Sequence, residues 1–201
     1  MGRIIKKFFR KIKQPKVLVS IFLASIMIFS ILGFMMSYQM DNRTTKLEYN
    51  GYKFTQFYDG IQTKINGQKF NLNYFPEQLD TINISSAAKV ILKSLFVFSI
   101  TYDSNSEYKE YFSGQQFELA ENLEKIEKYV SSGMTNNTGF EQIPQITCKN
   151  ATQTVPVIIF QEADQTSIQF NNNCIIANIS SINDVYRVGD LLFYTMAGVM
   201  K

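Results

Sequence analysis

Residues 51–80 read GYKFTQFYDGIQTKINGQKFNLNYFPEQLD. Two dipeptides punctuate the stretch, Asp59-Gly60 and Asn66-Gly67. Such pairs are the strongest short-range hairpin signals, because both central residues of a type I′ turn need positive φ. Between and after them the pattern alternates: Ile61, Thr63 and Ile65 share one face, then Phe70, Leu72 and Tyr74 share another. A period of two marks a half-buried strand. The stretch predicts a three-stranded meander over about 52–75, ended by Pro76, which has no amide to give a ladder.

Downstream, TINIS (81–85) reads as a short strand, and Ser85 or Ser86 is placed to cap a helix over AAKVILKS. LFVFSITYD (95–103) is rich in strand formers. SNSE, 104–107, has the spacing of a capping box. The helical pattern after it carries Tyr108, Tyr111 and Phe112, then Leu119, Leu123, Ile126 and Val130, with Gly114 as a break between the two stripes. Residues 131–144 read as loop. VPVIIF, TSIQF and CIIANI follow as three strands. Ser181 and Asp184 then cap a last helix bearing Ile182, Val185, Val188, Leu192 and Met196, with Gly198 at its end.

The other end of the chain is of a different kind. Arg3, Lys6, Lys7, Arg10, Lys11, Lys13 and Lys16 crowd the first 16 residues, which contain no acid. Residues 17–36 then carry no charge at all. At about 1.5 Å of rise per residue, 20 residues span roughly 30 Å, the hydrocarbon thickness of a bilayer. The run exceeds the roughly 7–15 residues of a signal-peptide core, and no small-x-small site follows it. The reading is a basic cytoplasmic tail (1–16), an uncleaved transmembrane signal anchor (17–38), a polar stalk (39–50) and a single extracytoplasmic domain (51–201). Cations on the inner flank orient it. The fold class expected is α+β, a mixed β-sheet with helices packed on it and opening with the meander, plus the one N-terminal transmembrane helix. Small residues at Ser20/Ala24 and Gly33/Ser37 are spaced for lateral association of such a helix.

The net charge of +3 hides an asymmetry. The tail takes seven of the 20 Lys and Arg, leaving 13 cations against all 17 acids beyond it. No basic cluster remains for nucleic acid. The tail's cations, interleaved with Ile and Phe, suit anionic lipid or serve only to set topology. The partners expected are the lipid bilayer and other envelope or membrane proteins.

Cys148 and Cys174 are the only two cysteines, and both fall beyond the anchor. An even pair in an oxidising compartment reads as a disulfide, with two independent buried thiols as the alternative. Sequons occur at Asn42, Asn83, Asn136 and Asn150, and these four are glycosylation candidates; a fifth, at Asn178, falls within a strand.

There is no histidine anywhere, so the commonest general base and metal ligand is missing, and Ser-His-Asp and Cys-His catalysis are excluded. Zinc is equally poorly served by two cysteines alone. No catalytic residue, cofactor site or metal site is assigned. The carboxylates to weigh are Asp59, Asp80, Asp103, Asp184 and Asp190, of which Asp59 is explained by its turn and Asp184 by its cap. Asp103, Asn105 and Glu107 alternate along one loop as calcium ligands would, yet lack the glycine and distal glutamate of a calcium loop, and capping explains the same residue types. Tyr186, Asp190 and Tyr194 fall at i, i+4 and i+8 on the last helix. They are either a polar stripe for a partner or the solvent face of an amphipathic helix.

YNGYKF (49–54), DGIQTKINGQKFNLNYFPEQLD (59–80), ITYDSNSEY (100–108) and CIIANISSINDVYRVGDLLFYTMAGVM (174–200) together resemble a group of uncharacterised archaeal single-pass membrane proteins. The resemblance covers most of 49–201 and implies an extracytoplasmic α/β domain on a signal anchor. It brings no activity and no functional residues. Three functions remain open. One is a membrane-anchored, non-enzymatic interaction module of a cell-envelope assembly; a second is a surface hydrolase that uses carboxylates on glycans; the third is a Ca²⁺-dependent adhesion module.

Overall fold

A computed structural model describes residues 15–41, 45–58 and 60–200, without the side chains of 15–18, 21 and 37–41. The basic tail up to residue 14, the candidate Asn42 and the turn residue Asp59 lie outside the described residues. The chain divides into two compact units, Met1–Thr44 and Thr45–Lys201.

The first unit contains helix α1, Pro15–Asp41. Among the described residues no helix is long and apolar enough to cross a membrane. This corrects the transmembrane helix expected over 17–38, and with it the fold class that included one. That finding is made of the described side chains alone, which in α1 are those of 19, 20 and 22–36.

The second unit is α+β, built on two sheets. The first is an antiparallel meander in the order β1-β2-β3-β4, with β1 Thr45–Tyr49, β2 Tyr52–Phe57, β3 Gly60–Ile65 and β4 Gln68–Leu72. It has four strands rather than three, because β1 occupies the segment expected to be a stalk. Its turn is Asn50-Gly51, with φ of 48° and 82°, the same left-handed pair as Asn66-Gly67 at 51° and 84°. The middle hairpin departs from expectation. Phe57 pairs with Gly60, so Gly60 is already strand.

The second sheet has six strands in the order β5-β9-β10-β8-β6-β7. These are β5 Asn83–Ile84, β6 Val97–Asp103, β7 Tyr129–Asn136, β8 Val157–Glu162, β9 Ser167–Asn171 and β10 Cys174–Ile179. It is mixed, as expected: β10, β8, β6 and β7 run parallel and β9 pairs antiparallel to β10. β7 lies where loop and helix end were expected. Its Tyr-Val-Ser-Ser-Gly-Met sequence has no apolar alternation to announce a strand. The three helices are α2 Ser86–Ser94, α3 Lys109–Glu124 and α4 Ile182–Met196. Gly114 does not break α3, which runs through it.

Phe98, Ile100, Ile158, Phe160, Ile175 and Ala177 face the helices and join one core with the meander's Phe54, Ile65 and Phe70. Eleven of the 15 residues of α4 are buried. The helix meets the meander through Phe193, 4.9 Å from Phe70, and Tyr194, 6.0 Å from Phe54, between ring centroids. It packs as well on α2, α3 and β10.

The far face of the six-stranded sheet is crossed by a strap, residues 144–156. Ile146 accepts from Thr101 Oγ1 at 3.0 Å. Cys148 is bonded to Cys174, with Cα atoms 5.4 Å apart, which ties the strap to the first residue of β10. Gly133 makes the approach feasible: a Cβ there would lie 2.7 Å from the Ile146 side chain and from the Pro144 carbonyl.

Candidate functional site

The expected stripe on the last helix is not a surface. Asp190 and Tyr194 are 1% and 0% exposed, while Tyr186 is half-buried with its ring edge-on to Tyr111. Amphipathicity read along one helix assumes one buried face, whereas α4 has a sheet packed on each of two faces. The polar atoms on its second face are used inside. Asp190 Oδ2 accepts the amides of Asn73 and Tyr74, both at 2.8 Å, and Tyr194 donates to the Tyr74 carbonyl at 2.9 Å. The pair clamps the chain where it leaves the meander.

Burial pushes the Asp190 carboxyl up to about 7, against the pull of the two backbone amides, and nearby Glu118 adds to the rise. Burial also raises Tyr194, with the Asp190 charge contributing. Glu118 itself is raised by its own burial and by Glu121. Two carboxylates of raised pKa thus lie on the neighbouring helices α3 and α4, but Asp190 is closed to solvent and to any substrate. A glycosidase needs both groups on the scissile bond.

Asp184, expected as a cap, is the hub of one. Although burial pushes its pKa up, hydrogen bonds from Thr166, Ser181, Ser180 and Arg187 prevail and hold it below the usual carboxylate range. Arg187 bridges onward to the Gln78 carbonyl and Thr81. Lys128 is similarly internal. Its ammonium caps α2 through the carbonyls of Leu92, Lys93 and Leu95 and lies 5.0 Å from the centre of the Phe96 ring; burial lowers its pKa.

A surface site is offered at the carboxyl ends of the parallel neighbours β6 and β7, beside the first turns of α3. Here Ser106 is hydrogen-bonded to Glu162 of β8, and the Tyr108 amide donates to Ser106 Oγ at 3.0 Å. Beside them opens a cavity of about 540 Å³. Tyr102, Met134, Phe140 and Ile143 supply its apolar lining, and Lys109 and Glu110 stand at its rim on the first turn of α3. Among the described residues Glu110 is its one lining carboxylate.

The loop Asp103–Asn105–Glu107 borders this crevice without forming an ion site. Asp103 Oδ1 accepts the Asn105 amide at 2.9 Å, a local turn bond. Among the described residues no three Asp, Glu, His or Cys side chains gather to hold a metal ion. Asp80 closes the short 3-10 turn Pro76–Leu79.

Of the glycosylation candidates, Asn83 and Asn150 are exposed. Asn136 is half-buried, its Oδ1 accepting from the amide and hydroxyl of Thr138. Asn178 is engaged by Gln161 and Ser167 within the sheet. The crevice was invisible in the sequence, because its walls come from segments some 40 residues apart. Comparison of the chain with family models, with curated proteins and with solved structures returned no match.

Proposed function

We propose that Thr45–Lys201 works outside the cytoplasm as a non-enzymatic interaction module, a subunit or accessory of a cell-envelope assembly. The observation that carries the reading is the crevice at the carboxyl ends of β6 and β7. It joins an apolar lining to one cation and one anion at the rim, a chemistry suited to holding a side chain or short segment of a partner protein. The Cys148–Cys174 bond supports the compartment, since such bonds persist where the surroundings are oxidising. Anionic lipid as a contact for the cations of the N-terminal tail belongs to the same proposal.

The test places a photo-crosslinking residue at Ser113, which lines the crevice, in the full-length protein expressed in its own cells. Discrete adducts with one or a few envelope proteins, lost on Phe140→Ala, are the expected result. Adducts spread over many proteins, or a crosslink to a glycan that the protein then cleaves, would overturn it.

A further inference from the structure

The segments that build the crevice carry an excess of negative charge. Asp103 ends β6, Glu162 ends β8, and Glu107 and Glu110 bracket Lys109, the first residue of α3. Glu141 stands between the lining residues Phe140 and Ile143. All five acids are exposed. Against them, Lys109 is the one lining cation among the described residues. The excess is not neutralised within the chain. Among the described residues the ion pairs are Lys125–Glu121 and Arg187–Asp184, and neither includes one of the five. Asp103, Glu141 and Glu162 accept hydrogen bonds from neighbouring amide or hydroxyl groups, which leave their charge in place. A cleft bordered by one sign of charge on apolar walls focuses that field on whatever enters it.

The wall itself adds a polar group. Ser104 is 7% exposed and lines the cavity. Among the described residues its hydroxyl has no hydrogen-bond partner, whereas that of Ser106, two residues on, is bonded to Glu162. A buried hydroxyl left unpaired is costly, and an occupant that bonds it removes the cost. Around it stand two aromatic rings, Tyr102 and Phe140, with Met134 and Ile143. Aromatic faces, a hydroxyl and a carboxylate are together what a guanidinium binds: it stacks on rings and its fork of donors seeks fixed acceptors.

We propose that the crevice receives an arginine side chain of a partner protein. The guanidinium bonds the Ser104 hydroxyl and the Glu110 carboxylate, and the methylene stem lies along Tyr102, Met134 and Phe140. Charge selects this occupant. An acidic side chain meets Lys109 but also the five carboxylates, and an apolar one leaves the Ser104 hydroxyl unpaired. Lysine shares the charge, but its strongly hydrated ammonium has no planar face for the two rings.

This identity rests on the interaction-module reading, and the two fail separately. Crosslinking from Ser113 asks whether a partner is there; a peptide series asks which chemistry the crevice prefers. Full-length protein is titrated with a fluorescent probe peptide, Gly-Ser-Leu-Arg-Leu-Ser-Gly, and with the same peptide carrying citrulline, lysine or glutamate in place of arginine. Binding is read by fluorescence polarisation, in the native sequence and in Ser104→Ala and Glu110→Gln. The arginine peptide is expected to bind about tenfold or more tightly than the citrulline and glutamate peptides, and about threefold or more tightly than the lysine peptide. Its advantage over citrulline is expected to fall about fivefold in each variant, with citrulline binding unchanged. Equal binding of arginine and citrulline, a lysine or glutamate peptide that matches arginine, an advantage that survives both substitutions, or no binding at all would overturn the proposal. Discrete crosslinks from Ser113 beside an indifferent peptide series would overturn this inference alone. An arginine preference without discrete crosslinks would overturn the module reading alone.

Discussion

Asp190 is a carboxylate whose environment favours the neutral form. Its folded pKa, about 7, lies above the ordinary value of 3.8 that the unfolded chain restores. The protein is therefore fully stable toward this group below about pH 4 and loses stability as pH rises toward 7, by about 4 kcal/mol between the limits. Asp190→Asn keeps an acceptor for the Asn73 and Tyr74 amides and cannot ionise. Urea unfolding from pH 4.5 to 7.5 is expected to give converging stabilities at the acid end and a more stable variant at the neutral end. Parallel curves would refute the assignment. A second residue-scale prediction concerns Lys128→Met, which keeps the stem and removes the cap from three carbonyls. A loss of about 1–3 kcal/mol is expected in the same assay. In the sequence Asp190 was visible only as one of a helical triplet. Its burial was not visible, because nothing local announces that a second sheet covers that face.

Helix α4 lies close against α3 at Gly189, where a Cβ would sit 2.1 Å from Gln115 Nε2. Gly189→Ala must displace the Gln115 side chain, which is 2% exposed, or separate the helices. Overpacking of this kind costs about 1–3 kcal/mol. Gln115→Ala in the same chain vacates the space, so most of the loss is expected to return in the double variant, measured as a double-mutant cycle. Additive losses would show that the contact is not the cause. At the scale of elements the turns were the best-read part of the chain. Asn66-Gly67 has the positive φ pair its dipeptide demands, and Asn50-Gly51 carries the same signal in what was read as stalk. β7 escaped because it is an edge strand with Ser and Gly inside it, held by neighbours rather than by its own pattern.

For the molecule as a whole, the Cys148–Cys174 bond closes a loop of 26 residues and fastens the strap to the sheet. In the chain-entropy model such a loop contributes about 3 kcal/mol. Replacing both cysteines by alanine is expected to lower the melting temperature by roughly 6–12 °C for a domain of this size. No shift in a thermal melt would mean that the strap is held by Thr101 and Met134 alone. The sequence by itself determined what depends on neighbours along the chain: the left-handed turns, the strands beside them, the helix cap at Ser181 and Asp184, and the absence of histidine chemistry. It also supplied the two cysteines, though not the face they cover. Tertiary structure alone decided the rest. It separated the meander into its own sheet, buried Asp190 and Tyr194 beneath it, and brought Tyr102, Met134 and Phe140 to one crevice. Each of these depends on contacts between residues far apart in sequence, and a local pattern records only that a face must be covered, not what covers it.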